Sequence, residues 1–125
     1  MNQARDPLAV SRELLKLLRR SRQYYEQLQR LAREQRALIQ ADDAEELLSL
    51  LAERQKVVRA IGRTHQELAP YQKEWDQLKE RLPAEVRTEI QGLLGDLQDM
   101  LNGLLEHDRQ DCAELVARKQ QIADE

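Results

Sequence analysis

Apolar side chains recur at alternating three- and four-residue steps along almost the whole chain, the spacing that lines one face of an α-helix. The first run passes through Ser11, Leu14, Leu18, Ser21, Tyr25, Leu28, Ala32, Gln35 and Ile39. Leu15, Leu17, Leu31 and Leu38 widen this stripe beyond a two-stranded seam, which suits a helix touching two neighbours in a bundle. Asp6-Pro7 is a favourable start, with Asp as cap and Pro where its missing N–H costs nothing. No Gly or Pro interrupts residues 8–40, so the pattern predicts a helix over 7–40, about 50 Å long.

The next break is short. Asp42 or Asp43 can accept hydrogen bonds from the free N–H groups of a new first turn, and Glu45 and Glu46 each follow three places later, the spacing of a capping box. The stretch is the tip of a helical hairpin, and the acidic residues there set topology. A second helix is predicted over 43–81, with its seam through Ala44, Leu47, Leu51, Arg54, Val58, Ile61, His65, Leu68, Gln72, Trp75, Lys79 and Leu82. Pro70 falls inside it, removes one backbone hydrogen bond and predicts a kink or short break near Leu68 to Tyr71.

Leu82-Pro83 marks the following boundary, since the residue before proline avoids helical geometry and Pro83 can open a helix. The third helix is predicted over 84–123, with Val86, Ile90, Leu93, Leu97, Leu101, Leu104, Asp108, Cys112, Leu115, Lys119 and Ile122 on one face. Gly92, Gly95 and Gly103 weaken it by roughly 1 kcal/mol each relative to Ala. They have two readings: close approach of a neighbouring helix, or a segment kept pliable for a partner.

Composition agrees with this picture. The chain has 125 residues, 34% of them charged, no Phe, one Trp and three Tyr, so its core must be built mostly from Leu. No strand signal is present. The fold class is therefore all-α, with three long antiparallel helices (a hairpin plus a third helix) in an elongated, coiled-coil-like bundle, and the length suits a single helical domain over 1–125.

The net charge of -3 conceals an asymmetry, with 9 Lys and Arg against 4 Asp and Glu in residues 1–40 and 11 against 19 in residues 41–125. A basic first helix beside acidic later ones implies mutual attraction within the bundle. Arg12, Lys16, Arg19, Arg20 and Arg22 could track phosphates, but the chain is acidic overall and no aromatic side chains interleave with them. No nucleic-acid partner is expected.

The lone cysteine, Cys112, rules out an internal disulfide and reads as a small apolar filler. Met1 to Pro7 is polar and resembles no signal peptide, and no stretch reaches membrane-spanning length, which predicts a cytoplasmic protein with no membrane partner.

Signals of chemistry are sparse. Phosphate loops, paired-cysteine zinc patterns and serine elbows are absent from the sequence. The densest constellation is His107-Asp108-Arg109-Gln110-Asp111-Cys112, where His107 and Asp111, and Asp108 and Cys112, stand four apart on a helix face. Such pairs arise by chance in a helix this charged, so no metal, cofactor or enzymatic activity is predicted. His65 reads as a packed or half-exposed core histidine. The remaining reading is helix-mediated protein binding, because the apolar stripes exceed what a slim three-helix bundle hides at its ends.

The succession Leu31-Ala32-Arg33-Glu34-Gln35-Arg36-Ala37-Leu38-Ile39, then Ala41-Asp42-Asp43, then Glu46-Leu47-Leu48-Ser49-Leu50-Leu51-Ala52-Glu53-Arg54-Gln55 resembles the FlgN-type flagellar export chaperones. The resemblance implies a cytosolic helical chaperone. It would bind hook-associated, hook–filament junction proteins, prevent their premature assembly and deliver them to the type III export apparatus. It also implies a client-binding part toward the C-terminus, here the third helix, with Leu101, Leu104, Leu105, Cys112, Leu115, Val116 and Ile122 as the client surface. Relative to the family, the chain stops soon after that helix, so part of the C-terminal region is expected to be shortened. The competing class is a structural module, spectrin-like or coiled-coil, in which the same stripes build a homo-oligomer.

Overall fold

Asp6 opens the first helix, α1 (Pro7–Gln40), its carboxylate accepting from the Leu8 N–H at 3.2 Å with Pro7 in the first turn. The computed structural model of the chain describes residues 6–124; Met1 to Arg5, the polar lead-in, lie outside the described residues. At the other end α1 closes in a Schellman motif. The N–H of Asp43 donates to the Leu38 carbonyl at 3.0 Å and that of Asp42 to the Ile39 carbonyl at 3.1 Å, while Asp42 adopts the left-handed conformation with φ 54°. The two aspartates at the tip therefore divide the work. Asp42 turns the chain, and Asp43 caps the second helix, α2 (Ala44–Arg81), accepting from the Glu46 N–H at 3.2 Å.

Leu82 is extended, with φ -92° and ψ 146°, and the third helix, α3 (Ala84–Asp124), follows Pro83. The fold is all-α, with no strand among the described residues. Each helix runs antiparallel to the one before, so α3 lies parallel to α1. Arg20 on α1 pairs with Glu67 on α2 at 2.9 Å, and Arg22 pairs with Asp96 on α3 at 3.3 Å. Arg19 likewise pairs with Glu89. The basic face of α1 is thus matched by acidic residues of both neighbours, as its charge asymmetry predicted.

α1 is the central element. Both other helices pack along it, and their backbones hardly approach each other. That arrangement explains why Leu14, Leu15, Leu17 and Leu18 are all buried although they spread around nearly half the helix. The core collects Leu14, Leu18 and Leu28 from α1, Ile61, Leu68 and Leu78 from α2, and Ile90, Leu97 and Leu104 from α3. Ile90 is 0% exposed and Leu18 1%, and burying a side chain of this kind contributes about 1.5–3 kcal/mol.

On α1 every position of the expected stripe is buried except Leu38 on its flank, which is half-buried. On α2 half of the expected seam is in place, with Ile61, Leu68 and Leu82 buried and Leu47, Arg54 and Trp75 half-buried, and the other half is displaced by one residue. Leu50, Thr64 and Leu78 are buried and Val57 and Tyr71 pack on the core, whereas Leu51, Val58, His65 and Gln72 face outward. The two registers share a seven-residue period, and the one that keeps Leu51 and Val58 on the seam would also bury His65, Gln72 and Lys79. Burying three polar side chains costs more than exposing two aliphatic ones, so the other register wins. His65 accordingly stands exposed, with its Nε2 3.3 Å from the Tyr25 hydroxyl.

Of the kink or short break expected near Pro70, a break does not occur: α2 is continuous helix from Ala44 to Arg81 with Pro70 inside it. Proline removes a single backbone hydrogen bond, and Leu68 on one side and Tyr71, Trp75 and Leu78 on the other dock against the same core. Nor do the α3 glycines mark a close approach. A Cβ placed on Gly92, Gly95 or Gly103 would meet nothing within 4 Å.

Candidate partner-binding surface

Along α3 the buried positions Ile90, Leu97, Leu104 and Asp111 fall one heptad apart, with half-buried Arg118 next in line. The expected stripe passed through Cys112 instead. Cys112 is exposed and does not fill the core; the buried place belongs to Asp111, which is 3% exposed.

Asp111 can occupy an inward position because donors await it there. Gln35 donates to its Oδ2 at 2.8 Å and Arg36 to its Oδ1 at 3.1 Å. Arg54 on α2 completes the layer, donating to the Gln35 side-chain oxygen at 2.7 Å and pairing with Asp108. His107 Nδ1 lies 3.2 Å from Asp111 Oδ2 but is not aligned to bond with it, and that nitrogen and Asp108 Oδ1 are buried without hydrogen-bond partners. The layer ties all three helices together at the distal limit of the apolar core. Among the described residues no three His, Cys, Asp or Glu side chains converge as metal ligands.

Beyond Asp111 the third helix changes character. From Cys112 to Ala123 only Arg118 is even half-buried. Arg118 donates to Asp42 at the hairpin tip at 2.7 Å and to Glu114 one turn back at 2.9 Å. Its guanidinium is thereby held more firmly protonated, with the Glu114 bond the larger influence and Asp42 the smaller. One turn before the layer, hydrogen bonds from Arg109 and Gln110 hold the Glu106 carboxyl below its usual range. Between the tip and the end of α3 runs a groove of about 560 Å³, whose apolar walls are Leu38 and Ile39 of α1, Leu47 of α2, and Leu115 and Ile122 of α3.

The seven side chains expected to form a partner surface divide between the core and this distal face. Leu104 is a core residue, 6% exposed, and Leu101 packs against the core from its edge. Leu105, Leu115, Val116 and Ile122 are exposed by 58%, 44%, 51% and 72%, and Cys112 lies among them. Three further apolar side chains, Leu48, Leu51 and Val58 of α2, are exposed as well. Sequence reasoning missed Leu51 and Val58 because it counted them on the buried seam, and it left Leu48 unassigned. The signal available was the run of polar residues that the same register would have buried.

The arrangement offers exposed aliphatic side chains on a helical frame, which suits association with another helix. No helix among the described residues is long and apolar enough to cross a membrane. Compared with known proteins, residues 10–125 match the model of a family described as FlgN protein. No curated protein and no solved structure gives a significant match.

Proposed function

The chain belongs to the FlgN family of flagellar export chaperones, and from that footing we propose that the distal half of α3 binds a hook–filament junction protein. In this reading Leu105, Cys112, Leu115, Val116 and Ile122 cover the client's helical assembly surface in the cytoplasm until the client passes to the type III export apparatus. Leu101 contributes at the margin, while Leu104 serves the fold. The observation that carries the reading is the run from Cys112 to Ala123, a helix with almost nothing packed on it and apolar side chains facing solvent.

Binding of this kind is helix exchange. Aliphatic side chains on α3 take the place of contacts that a junction subunit makes only after assembly, so self-association is blocked without any covalent step. Burial of a few such side chains against a complementary helix contributes about 1.5–3 kcal/mol apiece before the cost of association.

The test is co-purification of a junction protein with a Leu105→Asp, Leu115→Asp double variant. Both side chains are exposed, so helicity measured by circular dichroism stays unchanged while the client is lost. Retention of the client at wild-type level overturns the reading. Sedimentation of the protein alone separates it from the structural-module alternative, since a chaperone awaiting a client sediments independently of concentration and an assembly module does not.

A further inference from the structure

Resting on that client-binding reading, we infer that Asp42 and Arg118 are positioning residues, a tie by which the hairpin tip holds the distal half of α3 in the orientation that the client meets. Asp42 closes α1 in the left-handed region, at φ 54°, a place that usually goes to Gly because a Cβ there is strained. Its carboxylate does not cap α2, since Asp43 does that. Among the described residues it accepts a hydrogen bond from Arg118 alone, at 2.7 Å, from a partner 76 residues further along the chain. A residue with a Cβ held in a strained conformation points to a role for its side chain, and here the role is to hold Arg118.

Arg118 sits where such a tie has leverage. Asp111 pins α3 through the polar layer, and one heptad later Arg118 points almost the same way, about 10 Å further along. Between Cys112 and Ala123 no other residue is even half-buried. A helix pinned at one point still tilts and turns about it, and a second point one heptad on removes both freedoms. Glu114 bonds the same guanidinium at 2.9 Å from one turn back, which limits the arrangements of the long Arg side chain and so stiffens the tie.

The tie orients apolar side chains of the proposed client surface. Leu115 and Ile122 stand four residues after Asp111 and Arg118, so each turns by only about 40° from the pinned line. Both line the groove whose opposite wall is Leu38, Ile39 and Leu47 of the tip. Ile122 lies about 16 Å beyond Asp111, so any tilt about the polar layer is magnified there.

Both partners are open to solvent, with side chains 29% and 75% exposed, so the tie adds little to the stability of the fold. Its consequence is for binding. A client that recognises only the held orientation meets an apparent affinity reduced in proportion to the fraction of chains that adopt it. An exposed ion pair shifts that fraction by about two- to fivefold.

Calorimetric titration with a purified full-length junction protein tests the tie on the full chain and on Asp42→Gly, Arg118→Ala, the double variant and Arg118→Lys. Gly keeps the left-handed turn, and Lys keeps the charge. Asp42→Gly and Arg118→Ala are each expected to bind about two- to fivefold more weakly, with faster amide exchange at Leu115 to Ile122 in the free chain. The double variant is expected to bind no more weakly than either single one, and Arg118→Lys nearly as well as the wild type. Because Asp42→Gly relieves backbone strain, it pairs weaker binding with a fold at least as stable, a combination that a purely structural residue would not give. Wild-type affinity in both single variants overturns the inference, and so do effects that add in the double variant, since each side chain would then be touching the client on its own account. Leu105→Asp with Leu115→Asp keeps the two failures apart. Loss of the client in that variant alone removes the tie and leaves the client reading standing, whereas wild-type binding there removes both.

Discussion

Gln35 of α1 donates a hydrogen bond to the carboxylate of Asp111 on α3 at 2.8 Å, and the same Gln35 accepts one from Arg54 of α2 at 2.7 Å. One amide thereby joins the three helices where the Leu core gives out. A polar layer of this kind is costly to form and more costly to break in part, since removing one member leaves its partners buried and unpaired. Asp111→Ala strands the buried Gln35 amide N–H donor, while half-exposed Arg36 keeps its bond to Gln110. The expected destabilisation is about 1–3 kcal/mol in urea unfolding, with α3 beyond Leu104 losing amide-exchange protection first.

Ser21 presents the opposite case. It is 0% exposed and its hydroxyl has no hydrogen-bond partner, so the side chain bears the desolvation cost of a polar group with no compensating bond. Ser21→Ala is expected to be neutral or to stabilise by up to about 1 kcal/mol. Thermal unfolding measures it, and a clear loss of stability would contradict the placement.

Helix number, helix limits and the whole buried stripe of α1 are legible in the sequence, because α1 is flanked on two sides and its apolar residues leave no rival register. On α2 and α3 a heptad-spaced alternative lies one residue away, and periodicity alone cannot separate them. What separates them is which polar residues find partners. Asp111 could displace Cys112 from the buried line only because Gln35 and Arg36 stand opposite, a fact of tertiary pairing that no local pattern carries. The outward turn of Leu51 and Val58 follows from the same kind of choice, made to keep His65 and Gln72 in water. The exposure of these α2 side chains was hidden in the sequence for that reason.

The glycines of α3 lend themselves to a direct measurement. Gly92, Gly95 and Gly103 lie within a continuous helix, and a Cβ at each meets nothing within 4 Å. Replacement by Ala is therefore expected to stabilise by roughly 0.5–1 kcal/mol per site through the lower entropy of the unfolded chain and better helix propensity. Gly103 stands more than two turns from Gly92 and Gly95, so its effect should add to theirs. Client affinity measured on the triple variant then reports whether pliability of α3 matters to binding. A gain in stability with unchanged affinity excludes it.

At the hairpin tip, Asp42 holds a left-handed backbone that costs a residue with a Cβ roughly 1–2 kcal/mol, and only Gly adopts it freely. Its carboxylate also receives Arg118 at 2.7 Å, but that pair is open to solvent and contributes little. Asp42→Gly is therefore expected to raise overall stability while loosening the end of α3, and Asp42→Ala, which keeps the strain and loses the pair, to lower it. Denaturant unfolding together with amide exchange at Leu115 to Ile122 distinguishes the two effects. A destabilised Asp42→Gly variant would show that the tie to Arg118 outweighs the backbone strain.

Burial pushes the Tyr25 phenol above its ordinary value, since the phenolate would lose hydration inside the bundle. The folded chain then holds this proton more tightly than the unfolded chain does. Its contribution to stability is complete below the unfolded phenol's pKa of about 10 and is lost as pH rises through that value toward the folded one. Unfolding free energy measured at increasing pH should accordingly fall more steeply above about pH 10 in the wild type than in Tyr25→Phe, which has no phenol to ionise at this site. Removing the hydroxyl also removes the 3.3 Å contact with His65 Nε2, a loss of at most about 1 kcal/mol that appears equally at neutral pH. The difference between the two proteins therefore separates into a constant part from the contact and a pH-dependent part from the buried phenol. An identical alkaline slope in both proteins would show that Tyr25 titrates as freely in the bundle as in the unfolded chain.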